Sequence, residues 1–333
     1  MLLKDCIEIK NGKDYSHLSN GTIPVYGTGG IFKYVDKHLY DGTALLLPRK
    51  GSLNNVMYTE NQKFWTVDTM FYAICKNKSI NLKYLYYYLT LINIEKLDIG
   101  STVPSMTTAL YYSIDIPFPD RKTQDKIVAI LSAIDNQLER NNKIVKRLQV
   151  LAQTIYSMIM CNPKTKIMLG DIASMYQPET ITSDKFISNG QYPVYGAGGI
   201  IGFYNQYNHK ESELMLSCRG VCGKIEMSLP YSFIIGNQMV IKVKDEKIKY
   251  FLYNYLLNAD LSKVGTGSVQ KQITRTNLEK IPIMLPPTNI IYQYADILSN
   301  IYDMKMNTII ETNNLDMLKK YLLPLLVTGQ LSI

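Results

Sequence analysis

The residues with the clearest chemical capacity lie in short loops, not in a catalytic constellation. Arg49-Lys50-Gly51-Ser52-Leu53-Asn54-Asn55 sets two cations, a hydroxyl and two amides around a glycine. Arg and Lys donate to guanine edges or phosphate oxygens, Asn pairs with adenine, and glycine lets the backbone come close. Arg49, Lys50, Ser52 and Asn54 are therefore candidate DNA contacts. A second run, Arg219-Gly220-Val221-Cys222-Gly223-Lys224, nominates Arg219 and Lys224 for the same task. Thr102 and Ser105, and further on Gln270, Lys271 and Gln272, add hydroxyls and amides suited to base edges. Each run also reads as an ordinary solvated loop, so the chemistry needs a second argument from its place in the chain.

Other chemistries are poorly served. Asp120-Arg121-Lys122 superficially echoes a nuclease cluster, but no further carboxylate stands at an identifiable spacing. Asp120 more simply suits the positive end of a helix. Cys218 and Cys222 with His209 fall short of the four ligands structural zinc needs, so no metal site is expected. The five scattered cysteines fit reduced thiols better than a disulfide framework. Gly27–Gly30 and Gly196–Gly199 lack both the dinucleotide fingerprint and a P-loop lysine, and read as tight turns. An amino-methyltransferase would need Asn/Asp-Pro-Pro-Tyr/Phe. Here Asn162-Pro163 runs into Lys164-Thr165, and Pro286-Pro287 into Thr288. No catalytic residue is assigned, and no cofactor is expected on this chain.

What gives the loops weight is that the chain repeats itself. Ile23-Pro24-Val25-Tyr26-Gly27-Thr28-Gly29-Gly30-Ile31 returns as Tyr192-Pro193-Val194-Tyr195-Gly196-Ala197-Gly198-Gly199-Ile200, with seven of nine positions identical at an offset of 169. Leu45–Gly51 answers Leu214–Gly220, Asp68–Met70 answers Asn237–Met239, and Gly100–Thr107 answers Gly267–Thr274. The Tyr-rich segments 82–94 and 249–260 also correspond, as do Ile116-Pro117-Phe118-Pro119 and Ile283-Met284-Leu285-Pro286. The basic loops thus occupy the same place in two copies of one unit.

Each copy opens with short β-type runs, Thr43–Pro48, Phe64–Val67 and Phe71–Cys75, then Glu213–Ser217 and Gln238–Val243. The Tyr-rich segments read as helices packed on these strands. Each copy closes with a long helix after a Pro-rich exit. Ile127, Leu131, Ile134, Leu138, Asn141, Val145 and Leu148 begin an a/d seam that continues to Ile159, with Pro163 beyond it. The second helix, from about Ile290 to Leu323, carries Leu298, Ile301, Leu315 and Leu322 around a polar middle at Thr308 and Thr312, and stops before Pro324. Antiparallel pairing would set Asn141 near Thr308. At ~1.5 Å per residue such a coil is about 55 Å long, or roughly 16 base pairs. The fold class is α+β: two tandem α/β heads with curved, mostly antiparallel sheets, joined by two long helices forming an antiparallel coiled coil, with internal pseudo-two-fold duplication.

Charge is a weaker guide. The net charge is +8, yet residues 1–117 and 169–286 each hold twelve basic and ten acidic residues. Contacts to an anion must come from local loops. No apolar run reaches the ~20 residues of a membrane span and no signal peptide opens the chain, so no membrane partner and a cytoplasmic location are expected.

The order of head, helix, head, helix resembles the specificity subunit of Type I restriction–modification systems. So do Pro24-Val25-Tyr26-Gly27, the run Leu47-Pro48-Arg49-Lys50-Gly51-Ser52, and Pro117, Pro119, Gln124, Ile127, Leu131 and Asp135 at the helix start. The second helix departs from the pattern, with Ile291 where Gln124 maps. The resemblance implies target-recognition domains at 1–117 and 163–286 and spacer helices at 118–162 and 287–333. It implies that each head reads half of a bipartite site in double-stranded DNA. It also implies that the coil docks two adenine-methylating modification subunits, which translocating nuclease subunits join. S-adenosylmethionine, ATP and magnesium would then belong to those partners, and this chain would be non-catalytic. The rival readings are a stand-alone DNA-binding or coiled-coil scaffold protein, and a methyltransferase with fused recognition domains.

Overall fold

In the computed structural model, which describes residues 1–97, 105–188, 190–261, 264–265 and 272–333, the chain divides into two units. One comprises Met1–Leu138 and Leu315–Ile333, the other Glu139–Asn314. Each unit contains one head and a share of both long helices.

The first head is built on β1 (Ile7–Asn11), β2 (Asn20–Gly27), β3 (Gly30–Val35), β4 (Tyr40–Pro48), β5 (Met57–Thr66) and β6 (Met70–Cys75). They form one sheet in the order β1-β6-β4-β5-β2-β3. Only the β2–β5 pair is parallel, at Val25↔Trp65. The run Ala44-Leu45-Leu46-Leu47 is buried throughout because alternate side chains point to opposite faces. Leu45 and Leu47 pack with Leu85 and Tyr111, while Ala44 and Leu46 pack with Phe64 and Trp65.

Helix α1 (Leu82–Leu91) starts at Asn81, whose side chain accepts from the Lys83 and Tyr84 amides at 2.9 and 3.3 Å. After the short α2 (Thr108–Tyr112) comes α3 (Arg121–Met160). Asp120 caps it, accepting from the Thr123 amide and hydroxyl, and those bonds hold its carboxyl below the usual range. Gln124 is buried. Its oxygen accepts from the Asn81 amide at 2.8 Å and its NH2 donates to Pro119 and Ser79 carbonyls. The helix seam is thereby tied to the head at the cap of α1.

The second unit carries β7 (Thr165–Met168), α4 (Leu169–Ile172), β8 (Ala173–Tyr176), β9 (Tyr192–Gly196), β10 (Gly199–Tyr204), β11 (Leu214–Ser217), β12 (Ile225–Met227), β13 (Phe233–Ile234) and β14 (Gln238–Val243). Helices α5 (Lys249–Asn258) and α6 (Arg275–Glu279) follow, then β15 (Pro282–Leu285) and α7 (Thr288–Val327). Here the sheet is split into β12-β11-β14-β8 and β10-β9-β13, with β15 on β7. The parallel β13–β9 pair at Phe233↔Val194 repeats that of the first head. The break falls where β5 has its counterpart, at a stretch containing Pro230, which offers no ladder donor, and Tyr231 at φ 54°.

The long helices meet antiparallel in each unit. In the first, Lys319 pairs with Asp135 at 2.5 Å, Asp135 also accepts from the Tyr87 hydroxyl at 2.7 Å, and Ile127 and Leu131 pack with Leu326 and Val327. In the second, Lys305 bonds Gln149, and Leu148, Ile155 and Ile159 share a core with Ile291, Leu298 and Ile301. The Lys305–Gln149 register brings Asn141, which is buried, level with Thr312, one turn beyond Thr308. The Thr308 and Thr312 hydroxyls bond back to carbonyls of their own helix.

The helix expected to stop before Pro324 continues to Val327 with Pro324 inside it. Proline removes a single donor in the last turn, and burial of Leu326 and Val327 against Tyr84 and Tyr87 outweighs that loss. The Tyr84 hydroxyl also donates to the Val327 carbonyl at 3.0 Å. Among the described residues no helix is long and apolar enough to cross a membrane.

Candidate nucleic-acid interface

In the first head the loop after β4 is built onto its neighbours by backbone bonds. The Arg49 amide donates to Thr69 O at 2.8 Å, and its carbonyl accepts from the Met106 amide at 2.8 Å. Lys50 and Ser105 form an isolated antiparallel bridge. Gly51 turns at φ 87°, where a Cβ would lie 3.2 Å from Thr28 Oγ1, and Asn55 Nδ2 donates to the Thr28 carbonyl at 2.6 Å. Three segments thus converge: the basic loop, the glycine turn between β2 and β3, and the stretch at Ser105-Met106.

The second head repeats the junction position for position. Cys218, the counterpart of Arg49, takes the Ile273 amide on its carbonyl at 3.0 Å. Arg219, the counterpart of Lys50, donates through Nε and Nη2 to the Gln272 side-chain oxygen at 3.1 and 3.3 Å, the amide being oriented carbonyl toward the guanidinium. Gly220 turns at φ 76° with its absent Cβ 3.2 Å from Ala197. The glycine turn is held here by Ser217 Oγ on the Ala197 carbonyl at 2.6 Å and by Lys224 Nζ on the Gly198 carbonyl at 3.0 Å.

The candidate contacts are not equally free. Arg49 and Lys50 are exposed and, among the described residues, make no ion pair, although Arg49 lies over the Phe71 ring at 5.7 Å and donates weakly to Asp68 O. Ser52 is exposed. The Asn54 oxygen is committed to the Ile94 amide at 2.8 Å, leaving only its NH2 for a partner. Lys224 sits 2.7 Å from Glu226, which cancels its charge locally. Ser105 and Gln272 stand at the junctions just described. Thr102, Gln270 and Lys271 lie outside the described residues. Sequence reasoning takes Asn55 in the basic loop as an amide for DNA and gives Ser217 no role; both clamp the glycine turns. The repeat offset carried that signal, because both loops recur beside the same turn.

The sulfur pair does not gather with His209. The His209 ring is bonded to the Tyr176 hydroxyl at 2.8 Å and to Asn208 Oδ1 at 2.6 Å, and burial lowers its pKa. Cys218 is buried, accepts from Gln177 Nε2 at 3.1 Å, and is pushed up by desolvation. On the helices, Ile127, Leu131, Ile134, Leu148, Leu298 and Ile301 are buried, while Leu138, Val145, Leu315 and Leu322 are half-buried.

Two repeated heads each bring a basic loop, a glycine turn and a polar stretch to one junction, Arg49 and Lys50 being exposed in the first and Arg219 in the second, and this is the layout of a double-headed recognition protein. The profile of the family described as Type I restriction modification DNA specificity domain matches residues 1–149 and again 163–319. The chain belongs to this family and is a DNA sequence-specificity subunit of a Type I restriction–modification complex. A Haemophilus influenzae protein named as a type I restriction enzyme specificity subunit is 25% identical, over 88% of this chain and 83% of its own length. A Mycoplasma pneumoniae protein named as a type I specificity subunit is 22% identical, over 92% and 90%. The crystal structure of the S subunit from M. genitalium shares the fold at TM-score 0.76 and 17% identity, covering 98% of this chain and 95% of that one.

Proposed function

We propose that each head reads one half of a bipartite site in duplex DNA through its loop junction, with Arg49, Lys50 and Ser52 in the first and Arg219 and Gln272 in the second. The observation that carries this is the junction itself: Lys50 and Ser105, joined by a backbone bridge, and Arg219 and Gln272, joined through their side chains, stand at the same repeat positions of the same two loops and carry different side chains. A constant frame that presents different side chains is what reading two half-sites requires. Thr102, Gln270 and Lys271, nominated by their chemistry in the sequence alone, are included in the proposed reading set.

The chain is non-catalytic in this proposal. Two adenine-methylating subunits dock on the helices and extrude the target base, with nuclease subunits joining them in the cytoplasm. S-adenosylmethionine, ATP and magnesium are bound by those partners. Exposed apolar residues on the helices support the docking, since Val150, Met304, Met317 and Tyr321 are all more than half exposed. Isolation of the complex from its native host and identification of the bound chains tests the proposal. Two adenine methyltransferase chains per copy are expected; none, at good expression, would favour a stand-alone DNA binder.

A further inference from the structure

The glycine turns hold a residue that nothing inside the protein requires. In each head the turn is a hairpin of the same form, with Gly27 opposite Gly30 and Gly196 opposite Gly199. Gly30 and Gly199 sit at φ 107° and 109°, where glycine is needed. Gly29 and Gly198 do not have positive φ. Their place matches the third residue of a type I turn closed by a left-handed glycine, a position open to most residues. A Cβ added at either would meet no heavy atom within 4 Å. Neither backbone conformation nor internal packing explains a glycine there, and it occurs twice.

The surface beside these turns is unusual in the same way. Ile31 and Phe32 begin β3 at 46% and 53% exposure, and their repeat partners Ile200 and Ile201 begin β10 at 44% and 43%. Both strands are at the edge of their sheets. Phe32 lies across Gly27 and Ile201 across Gly196, at 3.3 and 2.7 Å from the absent Cβ atoms, so both hairpins lay an apolar side chain flat beside the tip. In the first head Lys33 follows, its ammonium over the Tyr15 ring at 5.3 Å. The turns are continuous with the reading junction, clamped to it by Asn55 in one head and by Ser217 and Lys224 in the other.

We propose that the β2–β3 and β9–β10 hairpins lie against the duplex, one in each half-site. The peptides at Gly29 and Gly198 approach it too closely for a side chain, and Ile31/Phe32 and Ile200/Ile201 cover apolar parts of the DNA such as sugar carbons or thymine methyl groups. The proposal rests on the DNA-reading assignment above and adds a specificity surface to it. The turns act as steric gauges: they admit a groove at one distance and reject anything that holds the head further off.

The test uses the full chain assembled with its modification subunits and a selection from randomised DNA duplexes. The parent enriches a bipartite motif. Gly29→Gln loses enrichment of one half by at least tenfold and keeps the other; Gly198→Gln does the reverse. Both variants melt with the parent and keep their partners, because the added side chains enter open space. If both Gln variants enrich the full motif while Lys50→Ala loses one half, the hairpin inference falls and the loop reading stands. If the variants unfold, the glycines serve the fold and the inference is wrong. If they keep the motif but shed the modification subunits, the hairpins face protein instead of DNA. If the parent enriches nothing, the DNA-reading assignment itself fails.

Discussion

Replacing Arg49 and Lys50 together by alanine should change how binding responds to salt more than it changes the fold. Both side chains are exposed at the end of β4, and the bonds that build the loop run through backbone atoms. Each cation placed on a phosphate adds about 0.9 to the slope of log affinity against log salt. Losing both lowers that slope by about 1.8. Over a fourfold rise in salt the double variant therefore loses roughly tenfold less affinity than the parent. Lys224 gives the contrast. It is paired with Glu226 at 2.7 Å and spends a donor on the Gly198 carbonyl. Lys224→Ala should move the slope by less than half of one phosphate contact, and weaken the β9–β10 turn instead. Fluorescence anisotropy of the assembled complex on a labelled duplex, titrated across salt, measures both. An unchanged slope in the Arg49/Lys50 variant would refute the placing of these two cations against the DNA. Equal slope losses in the two experiments would refute the reasoning from ion pairing.

Two further outcomes are expected. Gln124→Ala should lower the stability of the first unit by about 1–3 kcal/mol, since it takes the partner from the half-buried Asn81 amide and from the Pro119 and Ser79 carbonyls; denaturant midpoints with hydrogen exchange at Asn81–Leu85 check this, and an unmoved midpoint refutes it. Burial pushes Tyr84, Tyr195, Tyr250 and Tyr253 up to about 12 from an ordinary 10. Because the fold favours their neutral forms, the stability they contribute is whole below pH 10 and is lost as pH rises toward 12. An ultraviolet absorbance titration should show these tyrosines ionising well after the exposed ones, and coincident ionisation at 10 would count against their burial.

The architecture was readable because the chain states it twice. A run such as Leu45-Leu46-Leu47 is ambiguous alone, but its return as Leu214-Met215-Leu216 in the same order of neighbours makes it a strand of a repeated head. The a/d seam of α3 was equally plain: Ile127, Leu131, Ile134, Asn141, Leu148, Ile155 and Ile159 are buried, and Leu138 and Val145 are half-buried. What escaped was set by pairwise geometry. Lys224 reads as a free cation until Glu226 is placed beside it. The Asn54 oxygen reads as available until the Ile94 amide occupies it. Pro324 reads as a stop until Leu326 and Val327 are found buried beyond it. The division of each long helix between two units follows from contacts far apart in sequence, which no local pattern encodes.

That division has a consequence for how the protein is made. The first unit closes only when Leu315–Ile333 joins Met1–Leu138. Until then Tyr84, Tyr87, Ile127 and Leu131 lack the cover of Leu326 and Val327. All of Glu139–Asn314 must be synthesised in between, which at ~5–20 residues per second takes on the order of ten seconds or more. The head that leaves the ribosome first is thus the last to be finished, and its apolar flank lacks its own cover during that interval.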